Sequence, residues 1–146
     1  MLLDCANNVY VADSGHNAII VVLSNGTKVP YLSDGGTYPN PVVTIAKFKP
    51  TGVAADCCGN VYVTDSSGVV YYFSGGPLSV TYETQVLNRT SVPGLQPVAV
   101  ATGPSNSVYV LDGQGNRFLY KFFTNGSKTT LYSFPSGSSP SIYSCG

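Results

Sequence analysis

The chain has 146 residues, a length that suits one domain, and its seven basic and seven acidic residues give a formal net charge of zero. These charges are scattered, so the sequence has no basic stripe for nucleic acid and no polybasic cluster for an anionic membrane. Charged residues make up only 10% of the chain, whereas Gly, Pro, Ser, Thr, Asn and Tyr are abundant, and no apolar run is long enough to span a membrane. We therefore predict an all-β protein with many short strands and no membrane span.

A six-residue motif occurs three times along the chain. Its copies are Asn8–Asp13 (NVYVAD), Asn60–Asp65 (NVYVTD) and Ser107–Asp112 (SVYVLD). Each copy is rich in the valine and tyrosine residues that favour a β-strand, and each is followed by a Gly-bearing turn. The sequence therefore predicts a repeated structural unit of roughly 45 residues.

Each motif is predicted to lie within a four-stranded meander. Short apolar strands precede the second and third motifs, and their small residues suit a crowded innermost position at an axis. The motif is the second strand of its unit, and it is followed by a third strand, a tight turn and a fourth strand. These are residues 18–23, 24–26 and 28–32; 69–73, 74–76 and 79–84; and 118–123, 124–126 and 128–134. Four antiparallel strands in this order form the blade of a β-propeller.

Residues 50–73, which begin PTGVAADCCGNVYVTD, closely resemble the NHL repeat family of β-propellers. Residues 4–23 match well, whereas residues 97–122 match with losses, because Gly103–Ser107 replaces the Asp-x-x-Gly-Asn part of the pattern. The resemblance implies about three blades in one propeller domain over residues 1–146. These blades are residues 1–49, 50–96 and 97–138, with residues 139–146 beginning a further blade.

Three blades do not close a ring, since propellers typically have four to eight. Three arrangements would cover the open sides: a longer propeller of which this chain is a segment, a six-bladed ring of two chains, or an end-to-end filament. The sequence does not choose among them.

The four cysteines are predicted to occupy one repeated position, the turn between the first and second strands of a unit. They are Cys5, Cys57, Cys58 and Cys145. This placement favours disulfides between neighbouring blades or between chains, although three pairings are possible. A vicinal Cys57–Cys58 bond would be strained, and zinc is a poor fit because the chain has no CxxC pair and a single histidine, His16.

Three N-x-S/T sequons predict N-linked glycans at Asn25, Asn88 and Asn125. Together with the even number of cysteines, they predict an extracellular, secreted protein. Residues 1–20 contain no signal-peptide pattern, which is compatible with a mature or partial chain.

The motif aspartates Asp13, Asp65 and Asp112 end each copy of the motif. We interpret them as structural carboxylates that accept hydrogen bonds from the following turn; the alternative is a ring of carboxylates for calcium binding or catalysis. Lactonases and amidating lyases of similar fold use His, Glu, Asp or Asn around a central channel, but beyond its aspartates this chain offers only His16 and Glu83. We therefore predict no catalytic residue, no metal site and no cofactor.

The predicted function is a non-enzymatic extracellular structural or binding module that associates with itself or with other extracellular proteins. One alternative is a fragment of a propeller-type lyase or lactonase. Another is a carbohydrate-binding propeller that stacks sugars on tyrosines, the candidates being Tyr71, Tyr72, Tyr120, Tyr132 and Tyr143. The motif tyrosines Tyr10, Tyr62 and Tyr109 are predicted to pack between adjacent blades.

Overall fold

The structure is a computed structural model that describes residues 2–38, 43–105, 107–113, 117–123 and 127–135. Within these ranges the chain forms only strands, turns and irregular segments, and contains no helix that could cross a membrane. Twelve of its strands form three four-stranded antiparallel sheets. The predicted all-β class and the predicted four-stranded blades are therefore confirmed.

Each sheet is a meander whose strands follow one another in chain order. Blade 1 consists of β1 (Leu2–Leu3), β2 (Val9–Asp13), β3 (Ala18–Val22) and β4 (Lys28–Ser33). Blade 2 consists of β7 (Pro50–Ala55), β8 (Val61–Asp65), β9 (Val69–Ser74) and β10 (Thr81–Leu87). Blade 3 consists of β11 (Pro97–Thr102), β12 (Ser107–Asp112), β13 (Phe118–Phe123) and β14 (Lys128–Ser133).

The first strands of blades 2 and 3 pack directly against each other near the axis. The approach is close at Gly52, where an added Cβ would lie 3.3 Å from the Ala99 Cα. The Thr51 hydroxyl donates to the Pro97 carbonyl at 2.9 Å, and the Thr102 hydroxyl donates to the Ala55 carbonyl at 3.1 Å. The small residues of these strands therefore permit an interface made partly of side-chain-to-backbone hydrogen bonds.

The connection between blades 1 and 2 contains a hairpin that the repeat pattern does not predict. Its strands are β5 (Thr37–Tyr38) and β6 (Val43–Thr44). Tyr38 makes an edge-to-face contact with Phe73 of blade 2, with ring centroids 5.7 Å apart, and Phe48 makes a similar contact with Tyr71 at 6.2 Å. This connection therefore supplies part of the core between the two blades.

The fourth strand of blade 2 differs from its predicted bounds, residues 79–84. The strand begins at Thr81 because Gly75 and Gly76, both with positive φ, open a wider turn in which the Ser79 amide donates to the Gly76 carbonyl. It continues to Leu87, which is buried, through two register shifts against β9. Residues 139–146, predicted to begin a further blade, lie outside the described residues.

Candidate functional site

The turns between the first and second strands of blades 1 and 2 are joined by a disulfide. Cys5 and Cys57 form this bond, with Cα atoms 5.1 Å apart and a sequence separation of 52 residues. Cys58 is an exposed free cysteine, and Cys145 lies outside the described residues. The disulfide thus links two neighbouring blades, and Cys57 is not bonded to the adjacent Cys58.

An Asp–Asn pair shapes each of these two turns. The Asp4 carboxylate accepts hydrogen bonds from the Ala6 and Asn8 amides, both at 2.9 Å, and from the Asn8 side chain at 3.0 Å. Asp56 and Asn60 repeat this arrangement in blade 2, where the Asn60 side chain donates to the Asp56 carboxylate at 2.8 Å. The two pairs are absent from the predicted site residues, although the Asp-x-x-x-Asn spacing that both turns share is a sequence signal for this role.

A cavity of about 210 Å³ lies beside the disulfide, where the first strands of the three blades end. Its lining consists of Leu3, Asp4, Cys5, Ala55, Asp56, Cys57, Thr102 and Gly103. Because both carboxylates already accept several turn hydrogen bonds, the cavity has little free capacity for a cation. A second cavity, of about 290 Å³ and without ionisable side chains, is lined by Thr51, Ser66, Gln96, Pro97 and Val98.

Two of the three motif aspartates are buried acceptors of backbone hydrogen bonds. Asp65 accepts from the Ser67 amide at 2.6 Å and from the Lys49 amide at 2.8 Å, and Asp112 accepts from the Gln96 amide at 3.2 Å. Both aspartates have no exposed surface. Each therefore ties its own strand to the residue that precedes the first strand of the same blade.

Asp13, the third motif aspartate, is in a different environment. Its side chain is 35% exposed, and it accepts hydrogen bonds from the His16 amide at 3.2 Å and from His16 Nδ1 at 2.8 Å. These hydrogen bonds from His16 lower the pKa of the Asp13 carboxyl. The pair lies at the turn between β2 and β3, and the His16 side chain is 85% exposed.

The remaining acidic candidate does not join this pair. Glu83 lies on the outermost strand of blade 2 and accepts a hydrogen bond from the Ser74 hydroxyl, whereas His16 lies in blade 1. The described residues contain no group of three or more His, Cys, Asp or Glu side chains that could hold a metal ion. A His–carboxylate pair is able to move a proton, but the pair at Asp13 is solvent-exposed rather than enclosed in a pocket.

The sequons differ in their surroundings. Asn25 is exposed at a hairpin tip, where its side-chain oxygen accepts from the Thr27 amide at 2.9 Å. Asn88 is half-buried, its oxygen accepts from two amides of the following turn, and its Nδ2 donates to Gln85 at 3.4 Å. Asn125 lies outside the described residues. A glycan is therefore accommodated more easily at Asn25 than at Asn88.

The tyrosines considered for sugar stacking are mostly unsuitable. Tyr71 and Tyr120 are buried, and burial raises the pKa of Tyr71 to about 12. Tyr72 is half-buried and donates to the Asn60 side chain, and Tyr143 lies outside the described residues. Only Tyr132 of these five is described as exposed, at 57%.

The motif tyrosines follow the order of the blades. Tyr10 and Tyr62 are each 1% exposed, and Tyr62 contacts Phe122 of blade 3 with ring centroids 6.4 Å apart. Burial raises the pKa of both tyrosines. Tyr109 of blade 3 is only half-buried. The motif tyrosine is therefore buried in blades 1 and 2, each of which is followed by another blade, and half-buried in blade 3.

Both outer sides of the three-blade segment carry apolar faces. The blade 1 flank, defined by the register of β1, β2 and β3, consists of Leu3, Val9, Val11, Ile20 and Val22. The blade 3 flank consists of Tyr109, Leu119, Lys121, Phe123 and Tyr132 on one face of β12, β13 and β14; Ser107 and Leu111, which share this face in the register, are buried. All ten flank side chains are half-buried or exposed, whereas every residue of β8 in the middle blade is buried.

Comparison with solved structures identifies similar folds in two lyases. A streptogramin B lyase structure has a TM-score of 0.65 and 16% sequence identity, and the match covers 93% of this chain and 40% of that chain. A catalytically inactive histidine-to-alanine variant of virginiamycin B lyase from Staphylococcus aureus, with quinupristin, has a TM-score of 0.63 and 16% identity over 93% and 41% of the two chains. At this identity the match shows the fold alone, and the chain spans about two fifths of each lyase.

No protein-family model and no curated protein sequence matches the chain. The propeller fold is therefore supported by the structure and its neighbours, whereas membership of the NHL family stays a prediction.

Proposed function

We propose that the chain is an extracellular structural and binding module of the NHL type that associates with itself, so that further blades dock on its two flanks. The observation that carries this proposal is the gradient of burial across the segment. All five residues of β8 in the middle blade are buried, whereas only one residue of the equivalent strand β2 in blade 1 is buried, and the motif tyrosine of the equivalent strand β12 in blade 3, Tyr109, is half-buried. Apolar faces of this kind mark surfaces that are covered in the working protein.

The chemistry of the motif aspartates supports a non-catalytic role. Asp65 and Asp112 already accept backbone hydrogen bonds at buried positions, so they are acceptors within the fold. Asp13 and His16 form an exposed pair on a turn. Rigid blades with exposed turns suit presentation to a partner better than enclosure of a substrate.

An oxidising compartment fits the cross-linked blades. A disulfide such as Cys5–Cys57 persists in secreted proteins and is uncommon in the cytosol. Asn25 lies at an exposed hairpin tip with a complete sequon, which is the accessible position that an oligosaccharide requires. These features support secretion and N-glycosylation.

A second candidate, a segment of a propeller lyase, is favoured by the fold comparisons. Both neighbours described above are lyases, and a histidine variant of one of them is catalytically inactive. In this case His16 and Asp13 would supply a proton-transfer pair, and the remaining active-site groups would lie on the blades that complete the ring.

The first test is native mass spectrometry with negative-stain electron microscopy on the full chain secreted from a eukaryotic host. Glycan mass added to the 15.3 kDa polypeptide, together with particles larger than one chain, would support the module. An unmodified, monomeric chain would contradict it. Cleavage of quinupristin by assembled particles in which further blades complete the ring, abolished by His16→Ala, would instead favour the lyase candidate.

A further inference from the structure

We infer that the blade 3 flank of one copy binds the blade 1 flank of a second copy, head to tail. This inference rests on the proposed self-association and names its partner and its two surfaces. Its basis is that each flank repeats a surface which is already buried between blades inside the chain.

The blade 1 flank corresponds to the side of blade 2 that packs against blade 1. In the strand register, the pairs Val9–Val22 and Val11–Ile20 occupy the positions of Val61–Phe73 and Val63–Tyr71. The blade 2 residues of these pairs are at most 7% exposed, whereas their blade 1 counterparts are half-buried. The blade 1 flank therefore has the composition of a surface that receives a preceding blade.

The blade 3 flank corresponds to the opposite side, which receives a following blade. Tyr109 occupies the position of Tyr10 and Tyr62, and only Tyr109 remains half-buried. The two flanks are thus the two unlike halves of the contact that occurs between blades 1 and 2 and again between blades 2 and 3. A second copy supplies the missing half on either side, and because the halves differ, the contact is heterologous.

Lys121 distinguishes this joint from the contacts within the chain. In blade 3 the residue opposite the motif tyrosine Tyr109 is Lys121. The residue at the same position is Val21 in blade 1 and Tyr72 in blade 2. The Lys121 ammonium lies 5.7 Å from the centroid of the Tyr109 ring and 5.3 Å from that of the Phe123 ring. These cation–π contacts keep the lysine on the flank, and covering its charge on association opposes binding. The joint is therefore weaker and more reversible than a blade–blade contact within the chain.

Single lysine substitutions on each flank test the inference by sedimentation velocity. Val22→Lys blocks the blade 1 flank and Phe123→Lys blocks the blade 3 flank; both positions are half-buried. Each variant is expected to associate at least about 30-fold more weakly than the wild type, as for loss of an interface hot spot. Leu78→Lys is the matched control, because Leu78 is 76% exposed on a turn of blade 2 and lies on neither flank. Circular dichroism verifies that every variant is folded.

A mixture of the two blocked variants distinguishes a head-to-tail joint from a symmetric one. Each variant retains one intact flank, so an equimolar mixture should form a dimer of one copy of each and nothing larger. Lys121→Tyr, which introduces the blade 2 residue, should strengthen the association of the wild-type sequence. Oligomers that persist in both single variants would overturn this interface while leaving the proposed self-association intact. A wild-type chain that stays monomeric at every concentration would overturn both.

Discussion

Replacing Cys5 and Cys57 together by serine should lower the free energy of unfolding by about 4 kcal/mol. The bond closes a loop of 52 residues, and the chain-entropy treatment of such a loop gives a loss of roughly 14 cal/mol/K in the unfolded chain, or about 4 kcal/mol at 25 °C. Since small domains are stable by only about 5–15 kcal/mol, the double variant would lose a large share of its stability.

Urea unfolding followed by far-ultraviolet circular dichroism, without reductant, measures this loss. Cys58→Ser is the matched control, because Cys58 is exposed and free, and it should change the stability by no more than about 0.5 kcal/mol. A loss below about 1 kcal/mol in the double variant would show that the cross-link does not restrict the unfolded chain as calculated. A similar loss in the control would show that Cys58 takes part in the bonding.

Three further predictions concern buried groups. Asp65→Ala should cost about 1–3 kcal/mol in urea unfolding because it leaves two amides without their acceptor, whereas Asp13→Ala, at an exposed position, should cost less; equal losses would refute the structural role. Gly52→Ala should cost about 1–3 kcal/mol, because the new Cβ would lie 3.1 Å from the Thr64 hydroxyl, and Gly15→Ala, with an ordinary 3.6 Å contact, should be nearly neutral. Burial raises the pKa of Tyr71 from 10.0 to about 12, so the folded state binds the hydroxyl proton of Tyr71 more tightly than the unfolded state does. The contribution of this difference to the free energy of unfolding is complete below about pH 10 and is lost as the pH rises to about 12. Urea unfolding at a series of alkaline pH values tests the last prediction, and a stability that stays constant to about pH 12 would contradict it.

The repeated motif is sufficient to predict the blades, because strand alternation and turn residues are local signals. The motif does not predict the hairpin at Thr37–Tyr38 and Val43–Thr44, because this hairpin occurs once and packs against a distant strand. The sequence does not predict the Cys5–Cys57 pairing for a similar reason: it places the cysteines in equivalent turns but does not show which of these turns are adjacent.

The site was predicted less completely than the fold. The motif makes Asp13, Asp65 and Asp112 look equivalent, yet Asp65 and Asp112 are buried whereas Asp13 is half-buried. Two of them are satisfied by an amide located 16 residues earlier in the chain, Lys49 for Asp65 and Gln96 for Asp112. These amides lie in the segments that connect one blade to the next, and the six-residue motif does not determine the path of those segments.

The bond between blades 1 and 2 also determines how the chain responds to a pulling force. Tension applied to the two ends passes from Cys5 to Cys57 through the disulfide, so the residues between them carry no load. At about 3.4 Å per extended residue, roughly 180 Å of contour length stays hidden until the bond is reduced. In single-molecule stretching, adding a reductant should release this length, and an unchanged final extension would show that the bond does not bear the force. Blade 3 and the strands β8, β9 and β10 of blade 2 lie outside the closed loop and can be drawn out under either condition.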